Sequence, residues 1–174
     1  KKVKIKAVPD KNWQFVQWAG SFEGRDNPQT IVAEEKMNVI AQFEYIGPDI
    51  TGIGTAEEPF IIYTIKGLEK IGEKGYSLDA YYKLGKNIDA SCTRNENYNN
   101  GQGWEPIAKV PNGSDGNYKY FSGIFDGQNY EIKNLYINRQ ESLTGLFSHV
   151  KGGIIKNLNL ADVEIKGRFT VGGV

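Results

Sequence analysis

From Lys2 the chain alternates strictly between lysine and an apolar residue, Lys-Val-Lys-Ile-Lys-Ala-Val. That period of two predicts a strand with Val3, Ile5 and Ala7 on one face and lysines on the other. Pro9-Asp10-Lys11-Asn12 then turns the chain. Trp13, Phe15 and Trp18 follow as bulky apolar groups, and residues 20–28 read as a loop. Two further short strands are predicted near 30–33 and 39–43, enough for a small antiparallel domain built around two tryptophans over residues 1–45. Residues 46–55 are rich in turn formers and predict a linker.

The rhythm then changes. Thr64 predicts the N-cap of a brief helix carrying Ile65, Leu68 and Ile71 on one side, closed by Gly72 and Gly75. Beyond Tyr81 the chain repeats itself. Ile132-Lys-Asn-Leu135 recurs as Ile155-Lys-Asn-Leu158, and Gly123-Ile-Phe125 as Gly145-Leu-Phe147, at offsets of 23 (155 − 132) and 22 (145 − 123). A period of about 20 to 30 residues fits one turn of a solenoid, in which no turn buries its apolar face alone. On that reading Ile132, Leu135 and Ile137 stack on Ile155, Leu158 and Leu160, and Asn134 lies over Asn157 at a bend. Residues 92–103, rich in Asn and Gly, read as a surface loop.

Composition narrows the function classes. The 21 basic and 21 acidic residues cancel, so no electrostatic footprint for a phosphate backbone or an anionic bilayer is present, and nucleic acid is not an expected partner. Ten tyrosines and 21 glycines suit strands and tight turns and point to an all-β chain. No apolar run approaches the length of about 20 residues that spans a membrane, so no membrane insertion is expected of this segment. The lone Cys92 offers neither an intrachain disulfide nor a thiolate cluster. The chain begins inside an alternation and reads as a piece of a longer protein.

Two resemblances carry further expectations. Ala7-Val-Pro-Asp-Lys-Asn-Trp-Gln-Phe-Val-Gln-Trp-Ala-Gly20, ending in Val39-Ile-Ala-Gln-Phe43, resembles the divergent internalin-type B-repeat of bacterial surface proteins. Gly54-Thr-Ala-Glu-Glu-Pro-Phe-Ile-Ile62, Trp104-Glu-Pro-Ile107, Phe121-Ser-Gly-Ile-Phe-Asp-Gly127 and Gly153-Ile-Ile-Lys-Asn-Leu-Asn-Leu160 through Gly173 resemble, in order, the opening coils and motif of GLUG-motif surface and adhesin-like proteins. The second resemblance implies a right-handed parallel β-helix over residues 56–174, entered by a short capping helix. Together they imply a secreted or cell-surface location and a non-catalytic structural or adhesive role, with a glycan or a host or bacterial surface protein as partner. An open last coil is a template for strand pairing, so an edge-to-edge dimer is also expected.

The alternative is an accessory region beside a secreted peptidase or carbohydrate-active domain, since the GLUG resemblance reaches IgA-cleaving metallopeptidases. A zinc peptidase needs a His-Glu-x-x-His helix, and this chain has one histidine, His149, at a predicted corner. Paired carboxylates for glycan cleavage could come from Asp89, Asp115, Asp126 and Glu131, but Asp115-Gly116 and Asp126-Gly127 are ordinary turn dipeptides. Cys92 has no neighbouring histidine to activate it. No cofactor is expected. Asn112-Gly-Ser-Asp-Gly-Asn117 offers oxygen ligands for calcium without the spacing of a calcium loop. The aromatic set Trp104, Tyr118, Tyr120 and Tyr136, with Phe121 nearby, is the candidate ligand-contact surface, and packing beneath the insertion is the competing reading.

Overall fold

Strand-forming segments dominate the chain, and the physical question is where each finds its backbone partners. In the structure, a computed structural model, residues 1–34, 36–109, 119–140, 143–168 and 171–173 are described. The protein is all-β. Among the described residues one five-residue α-helix and two 3-10 turns accompany the strands. The chain divides into two units, Lys1–Pro48 and Asp49–Val174.

In the first unit β1 (Lys2–Ile5) pairs antiparallel with β3 (Gln29–Val32), and β2 (Trp13–Gly20) with β4 (Val39–Tyr45). A bulge between Phe15 and Gln17 interrupts the second ladder. The core is small. Ala7, Trp18 and Ile31 are buried, with Phe15 tilted against Trp18 at 5.0 Å between ring centroids. Trp13 is only half-buried, edge-on to Tyr45, and Val3 on the expected inner face of β1 is 37% exposed. The predicted loop after Gly20 is tied down by Asn27. Its side-chain oxygen accepts from the Ala7 amide and its side-chain nitrogen donates to the Ala7 carbonyl, at 2.9 and 2.8 Å, in place of a strand partner.

The second unit opens inside the segment read as a linker: β5 (Ile50–Thr51) pairs antiparallel with β6 (Phe60–Ile62). Helix α1 (Ile65–Glu69) follows, with the Thr64 hydroxyl accepting from the Gly67 amide and donating to Asp49. Leu68 and Ile71 are buried as the helical spacing predicts. The chain then makes three passes. The first holds β7 (Tyr81–Leu84) and β8 (Ile88–Asp89). The second holds β9 (Ile124–Asp126), β10 (Glu131–Lys133) and β11 (Tyr136–Asn138). The third holds β12 (Ile154–Lys156), β13 (Asn159–Ala161) and β14 (Glu164–Lys166).

Strands of successive passes pair in parallel. One sheet has the order β12-β9-β7-β6-β5, a second β13-β10-β8, and a third joins β11 to β14. Phe60, Tyr82, Phe125 and Ile155 form one inward column, Ile88, Ile132 and Leu160 another, and Ile137 and Ile165 a third. Phe125, Ile132, Leu135 and Ile137 are fully buried between neighbours.

The register corrects the one expected from the repeat. Ile132 lies beside Leu160, an offset of 28 (160 − 132), and Ile155 lies beside Phe125, an offset of 30 (155 − 125). The duplicated Ile-Lys-Asn-Leu marks two different corners, because what it encodes is local: a strand end, an Asn with positive φ, and a buried or half-buried Leu. Asn134 (φ 60°) turns the chain between β10 and β11, whereas Asn157 (φ 50°) turns it between β12 and β13. Asn134 therefore does not lie over Asn157. Its side-chain nitrogen donates to Asp89 Oδ1 in the preceding pass, and Asn157 donates likewise to Asp126 Oδ1, both at 3.0 Å. Each carboxylate also accepts from a backbone amide of its own corner, Ser91 or Gln128, at 3.0 Å.

Residues 92–103 are mostly exposed, as expected of a surface loop, but the buried Thr93 and Gly103 tie the segment to the strands. The Thr93 hydroxyl is buried, donates to the Ala90 carbonyl at 2.6 Å and accepts from the Tyr136 amide at 2.9 Å. Gly103 bridges Ile137 antiparallel, with the Trp104 amide donating to Tyr136 O and the Asn138 amide to Gln102 O. The segment thus supplies the edge of β11 that the first pass lacks. The buried Arg139 guanidinium fastens it, donating to the carbonyls of Trp104 (2.8 Å) and Gly103 (3.3 Å) and to Gln102 Oε1 (3.1 Å). Its polar composition reads as a loop because it bonds through backbone and small polar groups.

Two predictions follow from the way the passes meet. A Cβ on Gly127 would stand 2.3 Å from the Asn157 carbonyl oxygen, whereas one on Gly152 meets nothing within 4 Å and suffers only its φ of +76°. Gly127→Ala is expected to lower stability by about 1–3 kcal/mol, more than Gly152→Ala at about 1 kcal/mol, read from urea midpoints. The Asp89 carboxyl is held below its usual value of 3.8, first by Asn134 and then by the Ser91 amide. At Asp126 desolvation by burial opposes ionisation, but the Gln128 amide, Asn157 and Lys156 together outweigh it and hold that carboxyl low as well. Both depressed groups contribute stability that is present above 3.8 and is lost as pH falls through their folded values. Urea midpoints measured from neutrality to about pH 2 are expected to fall below about pH 4, less steeply in Asp126→Asn.

Candidate functional site

The described candidate carboxylates lie on three different strands. Asp89 ends β8 and Asp126 ends β9, in different sheets, and each points its Oδ1 at an Asn of the following pass. Lys156 Nζ lies 3.5 Å from Asp126 Oδ2. A group so committed is a structural acceptor. Glu131 begins β10, where its backbone amide donates to Asn87 at 2.9 Å. Asp115, and the Asn112–Asn117 stretch considered for calcium, lie outside the described residues. Among the described residues no group of three or more His, Cys, Asp and Glu is placed to hold a metal ion.

The aromatic set is likewise dispersed. Trp104 is 1% exposed, with Nε1 donating to the Leu146 carbonyl at 3.1 Å, so it is a core residue and presents no ring to a ligand. Phe121 is fully buried and joins an interior chain of rings with Tyr82, Phe147 and Phe125. Large rings carry more apolar area than any other side chain here, and burial claims them first. Tyr118 lies outside the described residues. Tyr136 is half-buried on β11, and Arg94 stacks its guanidinium 4.6 Å from the ring centroid while pairing with Glu164 at 2.8 Å. That face of the ring is occupied by protein.

Tyr120, like Tyr136, is half-buried with a cation over its ring, and it also has an imidazole beside it. It precedes the Phe121–Val150 bridge. His149 stands edge-on at 5.8 Å, and Lys151 Nζ lies 5.1 Å from the centroid of the Tyr120 ring. His149 Nδ1 is 3.1 Å from the Ser148 hydroxyl. Ring, imidazole and ammonium together make a surface with both a flat apolar part and hydrogen-bonding groups, the combination that suits a sugar face or a protein contact.

The structure adds a feature the sequence analysis does not anticipate. A groove of about 460 Å³ runs beside α1, floored by Leu68, Ile71, Leu78 and Trp104 and edged by charged groups including Glu73 and Lys119. Each apolar segment is legible in the sequence, but their meeting depends on the insertion folding back against the helix. Tyr98 hydrogen-bonds to Glu69 at the same place, and burial followed by that carboxylate pushes its phenol well above the usual range. Cys92 is exposed, yet desolvation, then Glu69 and Asp89, raise its thiol, the opposite of what a nucleophile needs.

No helix among the described residues is long and apolar enough to cross a membrane. Two curated proteins share sequence with the chain. Halomucin of Haloquadratum walsbyi is 34% identical over 124 residues, 70% of this chain and 1% of its own length. A putative Gly-rich membrane protein of Evansella cellulosilytica is 31% identical over 112 residues, 63% of this chain and 12% of its own. The chain thus spans a small part of either relative. No solved structure matches it. Residues 1–47 match the family model described as the Divergent InlB B-repeat domain, so the first unit carries that repeat, as the residues from Ala7 to Phe43 suggested.

Proposed function

We infer that the chain is a non-catalytic module of a surface-associated protein, in which a B-repeat-type domain is followed by the opening coils of a right-handed parallel β-helix. The observation that carries this reading is the parallel pairing of three successive passes in two sheets and of the last two in a third, with apolar columns inside and Asx corners that bond from one pass to the next. Repetition of one backbone plan in parallel, with each pass covering the last, is how a solenoid builds a core. In chain order α1 takes the place in the opening turn that β8, β10 and β13 take later, consistent with a capping helix.

Location at or outside the cell surface is supported by the B-repeat match and by a relative named as a membrane protein. The non-catalytic reading is supported by the hydrogen bonds that commit Asp89 and Asp126, each held by Asn and backbone donors. The role is display of an extended surface whose outward side chains contact a glycan or a surface protein. Tyr120 with His149 and Lys151 is the contact point, in place of the wider aromatic set.

The test is retention of the chain on glycan and extracellular-matrix arrays. Binding is expected to fall about tenfold in Tyr120→Ala and to be unchanged in Tyr136→Ala, whose ring Arg94 already covers. Equal loss in both variants would move the contact elsewhere. Hydrolysis of an array glycan that disappears in Asp126→Asn would overturn the non-catalytic reading.

A further inference from the structure

We propose that the outward face of the ribbon formed by β1 and β3 binds an anionic polysaccharide, a linear sugar polymer carrying a carboxylate or sulfate at regular intervals. The proposal rests on the surface-associated reading above and uses a different unit of the chain from Tyr120.

The chain's charges cancel overall but not locally. The alternation that buries Ala7 sends Lys2, Lys4 and Lys6 to the opposite side, and all three are exposed. The register of the ribbon sets Val32 opposite Lys2 and Thr30 opposite Lys4, so neither cross-strand neighbour is an acid. Antiparallel pairs gain from opposite charges set across from one another, and this face forgoes that gain. Among the described residues no carboxylate comes within 4.0 Å of the three ammonium groups, whereas Lys70, Lys109, Lys156 and Lys166 each have one. It is the side-chain face that carries the proposal; the backbone edges of the ribbon take no part in it.

Successive lysines on one face of a strand stand about 7 Å apart, so the three form a line about 14 Å long and one side chain wide. That spacing is inside the screening length of about 8 Å at physiological ionic strength, and the three charges act on an anion together. A polymer with ionised groups in a row engages all three and releases its own condensed counterions, which a single small anion does not. The narrowness of the line sorts the polyanions. An anionic bilayer is a plane, and it meets the acidic groups of a chain with no net charge as well as the basic ones. A nucleic-acid strand draws much of its hold from aromatic rings on which bases stack, and Thr30 and Val32 offer none. A sugar polymer needs only the charge line, and the Thr30 hydroxyl and the 58% exposed Val32 beside it suit the polar and apolar parts of a sugar ring.

Titration calorimetry of the 174-residue chain with dextran sulfate, polygalacturonate and neutral dextran at about 50 mM salt tests this. The wild type is expected to bind the two charged polymers and not the neutral one, with affinity falling along a log–log salt slope of about −2, as three ammonium groups give. The tighter of the two charged probes assigns the ionised group as sulfate or carboxylate. Replacing all three lysines, as Lys2→Gln, Lys4→Gln and Lys6→Gln together, is expected to weaken binding about tenfold or more, and arginine at the same three positions to preserve it. Removing the same charge at the exposed Lys11, Lys66 and Lys74 is expected to leave affinity within about twofold. No binding to either charged polymer overturns the proposal, as does equal loss in the two glutamine sets, or duplex DNA bound as tightly through the same lysines. A chain that takes up neutral array glycans and no polyanion loses this site and keeps the contact role proposed above, whereas one that binds neither loses both.

Discussion

Parallel backbone pairing between successive passes sets the terms for the second unit, because strands meeting edge to edge lie about 4.8 Å apart and leave no tolerance at the corners. A chain that must turn in register with the turn below it needs residues that accept positive φ, donors that reach down, and no Cβ where two backbones touch. Asn134, Asn157 and Asp162 supply the first, all at φ of 50° to 60°. The side chains of Asn134 and Asn157 supply the second by donating to Asp89 and Asp126. Gly127 supplies the third. The apolar columns then follow without further specification, since fixing the corners fixes which residue of each three-residue strand faces inward.

This arrangement commits the carboxylates of Asp89 and Asp126 to the corners. A corner carboxylate that accepts from an amide of its own turn and from an Asn of the next is worth more as an ionised acceptor than as a proton carrier, and its surroundings hold it ionised. The same logic governs the insertion. Thr93, Gln102 and Gly103 look like loop residues, but they complete the bonding of β11, and the buried Arg139 donates to three oxygens of the same stretch.

The two units are held together internally by different means. The first has short antiparallel ladders and a core of few residues, with Trp18 sealed by its Nε1 bond to the Asp26 carbonyl and Asn27 standing in for a strand. The second buries a continuous column of rings and branched aliphatics, and its burial weakens only at the last pass. Trp104 and Phe121 are claimed by the core, and the half-buried rings of Tyr136 and Tyr120 each lie beside a cation, Arg94 and Lys151.

The sequence by itself determined what depends on near neighbours in the chain. The strand from Lys2, the strands near 30 and 39, the Thr64 cap with Leu68 and Ile71 behind it, and the B-repeat residues from Ala7 to Phe43 are all local patterns found in place, although Val3 on the expected inner face is exposed. Tertiary structure alone decided the register of the passes. Ile-Lys-Asn-Leu encodes a corner, and a corner recurs more than once in a turn, so its repeat distance is not the stacking distance; Ile132 meets Leu160 because the corner at 127–130 is longer than the one at 157–158. Burial of Trp104, the cover that residues 102–104 give β11, and the groove beside α1 depend on contacts between residues more than thirty positions apart, which composition and periodicity do not carry.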